Sequence, residues 1–66
     1  MIIHKVGETA GRIWHMLDEE GQQRLTALKK QVKVPDAILY MALGWLARED
    51  KVEIEPEGRS FRVRLR

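Results

Sequence analysis

The 66-residue chain is expected to fold as a small α+β domain, three helices followed by a β-hairpin. Three observations predict this. Apolar residues recur at spacings of three and four in successive stretches between residues 7 and 49, as helices that bury one face require. Pro35 divides the second stretch from the third. Beyond Lys51 the apolar period falls to two, which is the period of strands.

The elements follow in order. In the first helix, residues 7–19, Ala10, Ile13, Trp14 and Leu17 share a face. Glu8, Arg12, His15 and Glu19 fall on the other, and Gly21 supplies the stop. The first five residues leave three options open: a strand, pairing with a second chain, or a frayed end. The residues just after Gly21 can add a short third strand. Residues 24–31 form a shorter helix with Leu25, Leu28 and Val32 inward and Arg24, Lys30 and Gln31 outward. Pro35 cannot continue that helix but can begin the next, because the first-turn amide it lacks has no helical partner anyway. Asp36 suits the positive end of the third helix's dipole. That helix runs to about Glu49.

In the tail, Val52 and Ile54 alternate with Lys51, Glu53 and Glu55, and Phe61, Val63 and Leu65 alternate with Arg62, Arg64 and Arg66. A three-residue loop would mix the two faces. A four-residue loop, Pro56-Glu57-Gly58-Arg59, pairs Ile54 with Phe61, Val52 with Val63 and Glu53 with Arg62, and is the expected register. Short helix, tight turn, longer helix and hairpin together make a winged helix-turn-helix, with the hairpin as wing. Residues 1–66 form a single domain.

Size and composition narrow the function. A chain of this length buries only about 60% of its unfolded surface, so its stability is marginal. Without cysteine it has neither disulfides nor thiolate metal sites. Packing and self-association must supply the stability, and a homodimer is expected. No apolar run approaches a membrane span and no signal-peptide core is visible, so the expected location is cytoplasmic. The net charge is only +2, with an isoelectric point near 9.3. The charge is unevenly placed: RSFRVRLR at the end holds four arginines and no acid.

Two stretches, GETAGRIWHML at 7–17 and LYMALGWLAREDK at 39–51, resemble a small bacterial family of stand-alone winged helix-turn-helix domains of uncharacterised function. ALGWLARE, residues 42–49, is the most specific piece. The resemblance covers nearly the whole chain and implies the winged fold without a biochemical role. More loosely, Leu25-Leu28 and Ile38-Ala42-Leu46 resemble the core spacing of bacterial transcription regulators. In that pattern the turn between the helices often carries Gly, where this chain has Val32-Lys33-Val34.

On a helical wheel, Ile38, Ala42, Trp45 and Leu46 of the third helix cluster on one side with Leu39 at the edge. Asp36, Ala37, Tyr40, Leu43, Gly44 and Ala47 fall opposite. A winged helix would put that second side into the major groove. Direct readout uses Arg or Lys on guanine and Asn or Gln on adenine, and none lies at its centre. An all-round apolar helix is normally covered on both sides. Tyr40, Leu43, Gly44 and Ala47 are therefore the candidate protein interface. The candidates for phosphates of duplex DNA are Lys29, Lys30 and Lys33 on the second helix and turn, Arg48 and Lys51 closing the third, and Arg59, Arg62 and Arg64 on the wing. Arg59 at the tip is the best placed for a minor groove. Glu53 and Glu55 lie across the hairpin from these arginines and oppose them.

No catalytic pattern emerges. His4 and His15 have no fixed geometry for a metal, no nucleophile motif or phosphate loop is present, and Asp18, Glu19 and Glu20 read as a solvated helix end. Trp14 and Trp45 stand at core spacing rather than as a cofactor box. No enzyme activity, cofactor, metal or small-molecule substrate is expected.

Overall fold

A computed structural model describes residues 2–66. The elements run α1 (Ile2–Glu20), β1 (Gln23–Arg24), α2 (Leu25–Val32), α3 (Asp36–Arg48), β2 (Val52–Glu57) and β3 (Ser60–Leu65). The three helices pack beside a three-stranded antiparallel sheet of order β1-β3-β2.

Helix α1 begins at Ile2, five residues earlier than its expected start. Val6 explains the extension. It continues the buried row of Thr9, Ala10, Ile13 and Leu17 by one turn, so burial carries the helix through Gly7. Residues 2–5 are thus helical and not a strand, with Met1 outside the described residues. Ile2 and Ile3 overhang the body, 57% and 60% exposed. Gly21, at φ 80°, ends α1 and donates its N–H to Leu17 at 2.9 Å.

The short third strand is present. Gln23 stands opposite Val63 and Arg24 opposite Arg62. Helix α2 buries Leu25, Leu28 and Val32, as the pattern required. Its turn into α3 is made by Lys33, left-handed at φ 54° and ψ 51°, where related turns often carry glycine. The Arg12 guanidinium donates to the Val32 carbonyl at 2.8 Å, so α1 caps the end of α2. The outward placement expected for Arg12 overlooked this reach. Pro35 is the N-cap of α3, and its carbonyl accepts from Leu39 at 3.1 Å. Asp50, at φ 59°, closes α3. Its N–H bonds Ala47 at 3.1 Å and that of Lys51 bonds Leu46 at 3.0 Å, the paired bonds of a Schellman end.

The hairpin register differs from expectation. Val52 pairs with Leu65, Ile54 with Val63, Pro56 with Phe61 and Glu57 with Ser60. The loop is two residues, Gly58-Arg59, and Gly58 takes φ 61°. A two-residue turn with glycine first matches strand twist better than a four-residue loop. Slipping by two leaves every side chain on its predicted face. It does move partners: Glu53 meets Arg64, and Glu55 meets Arg62.

Helix α3 also departs from its wheel. It buries Ile38, Leu39, Ala42, Leu43 and Leu46. Leu43 is only 5% exposed, whereas Trp45, expected inside, is 44% exposed. Leu39, Ala42, Leu43 and Leu46 form the i, i+3, i+4, i+7 row. Leu25 and Ile54 cover the Leu43 side, and α1 presents Gly7 and Gly11 towards the Trp45 side. A wheel cannot find its inner face when nearly every position is apolar.

Candidate interaction surface

The outer row of α3 reads Ala37, Tyr40, Met41, Gly44, Trp45 and Arg48, all exposed. Five of the six are uncharged and lack the amide or guanidinium groups that read bases. Beside this row lies a cleft of about 230 Å³ between α3 and the wing. Leu43 and Leu25 lie deep in it, with Gly44 and Ile54 beside them. Tyr40 and Phe61, 47% and 45% exposed, stand at its rim. Three of the four expected interface residues, Tyr40, Leu43 and Gly44, therefore meet in one cleft. Ala47 instead lies half-buried against the core. Met41 and Phe61 were missed by the sequence reading. The spacing Ala37, Met41, Trp45 carries the signal for the first, and the slipped hairpin carries Phe61 past the sheet's covered end.

Lys29 crosses the head of this surface. Its ammonium lies 5.4 Å from the centre of the Tyr40 ring and 3.5 Å from the Asp36 carboxylate. Tyr40, as a hydrogen-bond partner, is the largest influence on it. With Asp36 it outweighs desolvation and holds Lys29 above the usual lysine range. The amine stays charged through the physiological range, and a favourable partner already occupies it.

The other expected phosphate contacts divide into two groups. Arg62 lies 4.0 Å from Glu55 and 3.4 Å from Glu57, Arg64 bonds Glu55 at 3.1 Å, and Lys51 lies 3.9 Å from Glu49. Arg24 joins from β1, 3.0 Å from Glu57, and Arg66 bonds Asp50 at 2.8 Å and Glu53 at 3.3 Å. The basic tail is thus laced to acids across the outer face of the sheet. Among the described residues, Lys30, Lys33, Arg48 and Arg59 have no such ion-pair partner.

The chain matches, over residues 1–65, the family described as winged helix-turn-helix domain (DUF2582). The chain belongs to this family. A relative from Methanocaldococcus jannaschii, the uncharacterized protein MJ1608, is 38% identical over 65 residues, covering 94% of this chain and 91% of the relative. In this winged helix-turn-helix domain α3 holds the place of the recognition helix and β2–β3 the place of the wing. The cleft between them is lined by apolar and aromatic side chains.

The remaining chemistry is sparse. His4 lies 3.6 Å from Glu8, and His15 meets Trp14 edge-on at 5.4 Å. Both histidines lie on α1 and are eleven residues apart, about 16 Å at a rise of 1.5 Å per residue, so they cannot share one metal ion. Among the described residues no cluster of three or more His, Asp or Glu could hold one, and no helix is long and apolar enough to cross a membrane.

Proposed function

We propose that this winged helix is a non-enzymatic binding module whose partner is a protein surface, a second copy of the chain before any other, received on α3 and the wing. The observation that carries this reading is the apolar cleft rimmed by Tyr40 and Phe61. Apolar clefts with exposed aromatic rims mark interaction sites more often than scattered apolar side chains do. Aromatic side chains at the edge of a dry pocket are the usual anchors of such contacts. Gly44 adds to it. A Cβ added at this position would meet no other part of the chain within 4 Å beyond its own stretch of helix, yet glycine in a helix interior costs about 1 kcal/mol relative to alanine. Close approach of a second backbone offsets that cost.

Sedimentation or light scattering tests the reading. The wild type should form a dimer that Tyr40→Glu or Phe61→Glu dissociates, with the helical circular dichroism unchanged. A wild-type monomer at millimolar concentration overturns the self-association.

A second reading rests on the four expected phosphate contacts that, among the described residues, have no ion-pair partner. Lys30, Lys33, Arg48 and Arg59 are free to contact the phosphates of duplex DNA without reading sequence. Four such contacts give a log–log salt slope of about −3.6. Lys30→Glu combined with Arg59→Glu should abolish a salt-sensitive mobility shift. No shift from the wild type at low salt overturns this reading.

A further inference from the structure

The exposed indole of Trp45 borders a second concavity, which shares no residue with the wing cleft. It is a groove of about 820 Å³ between α1 and the end of α3. We infer that this groove is a binding site for an uncharged, planar heteroaromatic molecule.

Three features point there. The first is the pair of indoles. Trp14 reaches the groove from α1 and Trp45 from α3, above a floor that includes Ala10, Leu46 and Leu65. Trp14 is half-buried and held edge-on by His15, while Trp45 is open on its outer side. Indoles offer flat faces on which aromatic rings stack, and a groove of this volume lies within the usual range of small-molecule sites.

The second is the wall made by Gly7 and Gly11. Both lie inside α1 without a left-handed backbone, and a Cβ at either would meet nothing within 4 Å. Neither turn geometry nor crowding within the chain calls for glycine. Any larger side chain there would project towards the open groove. The two residues keep that space empty at the expense of helix propensity.

The third is charge. The groove's charged lining residues are all paired, Lys51 with Glu49 at 3.9 Å and Arg66 with Asp50 at 2.8 Å, and Arg66 also reaches Glu53 outside the groove at 3.3 Å. Two cations and two carboxylates cancel. A phosphate or carboxylate on the ligand would find no uncompensated partner, and neither would an ammonium. A neutral ring with donors and acceptors along one edge can bond to both kinds of group at that mouth while its face lies against the indoles.

Titration of the isotope-labelled protein with indole, adenosine and riboflavin, followed by amide and indole N–H shifts, tests the inference. Adenosine monophosphate and a short deoxyadenosine oligomer serve as charged controls. At least one neutral probe should shift the Trp14 and Trp45 indole signals and the Gly7 and Gly11 amides, leaving Tyr40 and Phe61 unmoved. Gly11→Leu fills the groove while strengthening the helix. It should weaken that probe at least tenfold with an unchanged or raised melting temperature, and Trp45→Ala should weaken it comparably. Three results overturn the inference: no response to any neutral probe at millimolar concentration, binding untouched by both variants, or binding of the charged controls alone. Dissociation of a dimer by Trp45→Ala would assign the groove to a second copy and also overturn it. Loss of self-association in the Tyr40→Glu variant, with probe binding retained, separates this site from the wing cleft.

Discussion

Two residues, Arg12 of α1 and Lys33 of the α2–α3 turn, act in unlike ways on the same short piece of backbone. Arg12 reaches from α1 to bond the Val32 carbonyl at 2.8 Å, satisfying one of the carbonyls a helix end leaves without partners. Hydrogen bonds from charged donors contribute about 1.5–3 kcal/mol. Arg12→Ala should therefore lower stability by about 1.5–2 kcal/mol, read as a fall in the thermal midpoint at unchanged helix content. Lys33 works the other way. Its left-handed backbone, φ 54°, costs an L-residue roughly 1–2 kcal/mol, and glycine is free of most of that strain. Lys33→Gly should raise stability by about 0.5–1 kcal/mol in urea titration with an unaltered slope. Asp50 has the same backbone geometry but also bonds Arg66, so Asp50→Gly should gain less.

At the scale of elements, the hairpin shows how far the sequence could be read. Alternation of Val52 and Ile54 with Glu53 and Glu55 identified the strands and their inner face, and excluded an odd loop. It could not separate two residues from four, because both keep the faces. The deciding detail was the left-handed Gly58, which is a property of turn geometry and not of apolar period. Helix α3 met a similar ambiguity. Its existence and limits were plain from Pro35 and Asp36 onward, but with Tyr40, Met41, Leu43 and Trp45 all apolar its inner row could not be chosen. The candidate interface was accordingly legible as a helix, and only partly as residues. The finished sheet leaves β2 as an outer strand, and Pro56 sits on it. Proline interrupts the row of free N–H groups that would otherwise template another chain. Pro56→Thr should accelerate aggregation on mild heating, seen by light scattering, with little change in the thermal midpoint.

For the molecule as a whole, surface charge and surface apolarity are kept on different faces. The outer sheet face carries interlaced acids and arginines, and exposed pairs of this kind stabilise by only about 0.2–1 kcal/mol each. The apolar positions left uncovered, Ile2, Ile3, Tyr40, Met41, Trp45 and Phe61, belong to the helices and the wing's inner face. Stability must come mainly from the small core around Ile13, Leu28 and Leu39. Val63 belongs to that core too, and its strand lies between β1 and β2. This central place has a consequence in time. Residues 23 and 63 must find each other across forty positions of chain, whereas α1 and α2 need only local contacts. Closing so long a loop precedes any reward from the contacts it brings, which slows folding. The helices should form early and fleetingly, and β3 should be the strand whose docking commits the chain. Val63→Ala should then slow refolding in stopped-flow experiments more than it speeds unfolding. The opposite partition would place the docking of β3 after the rate-limiting barrier.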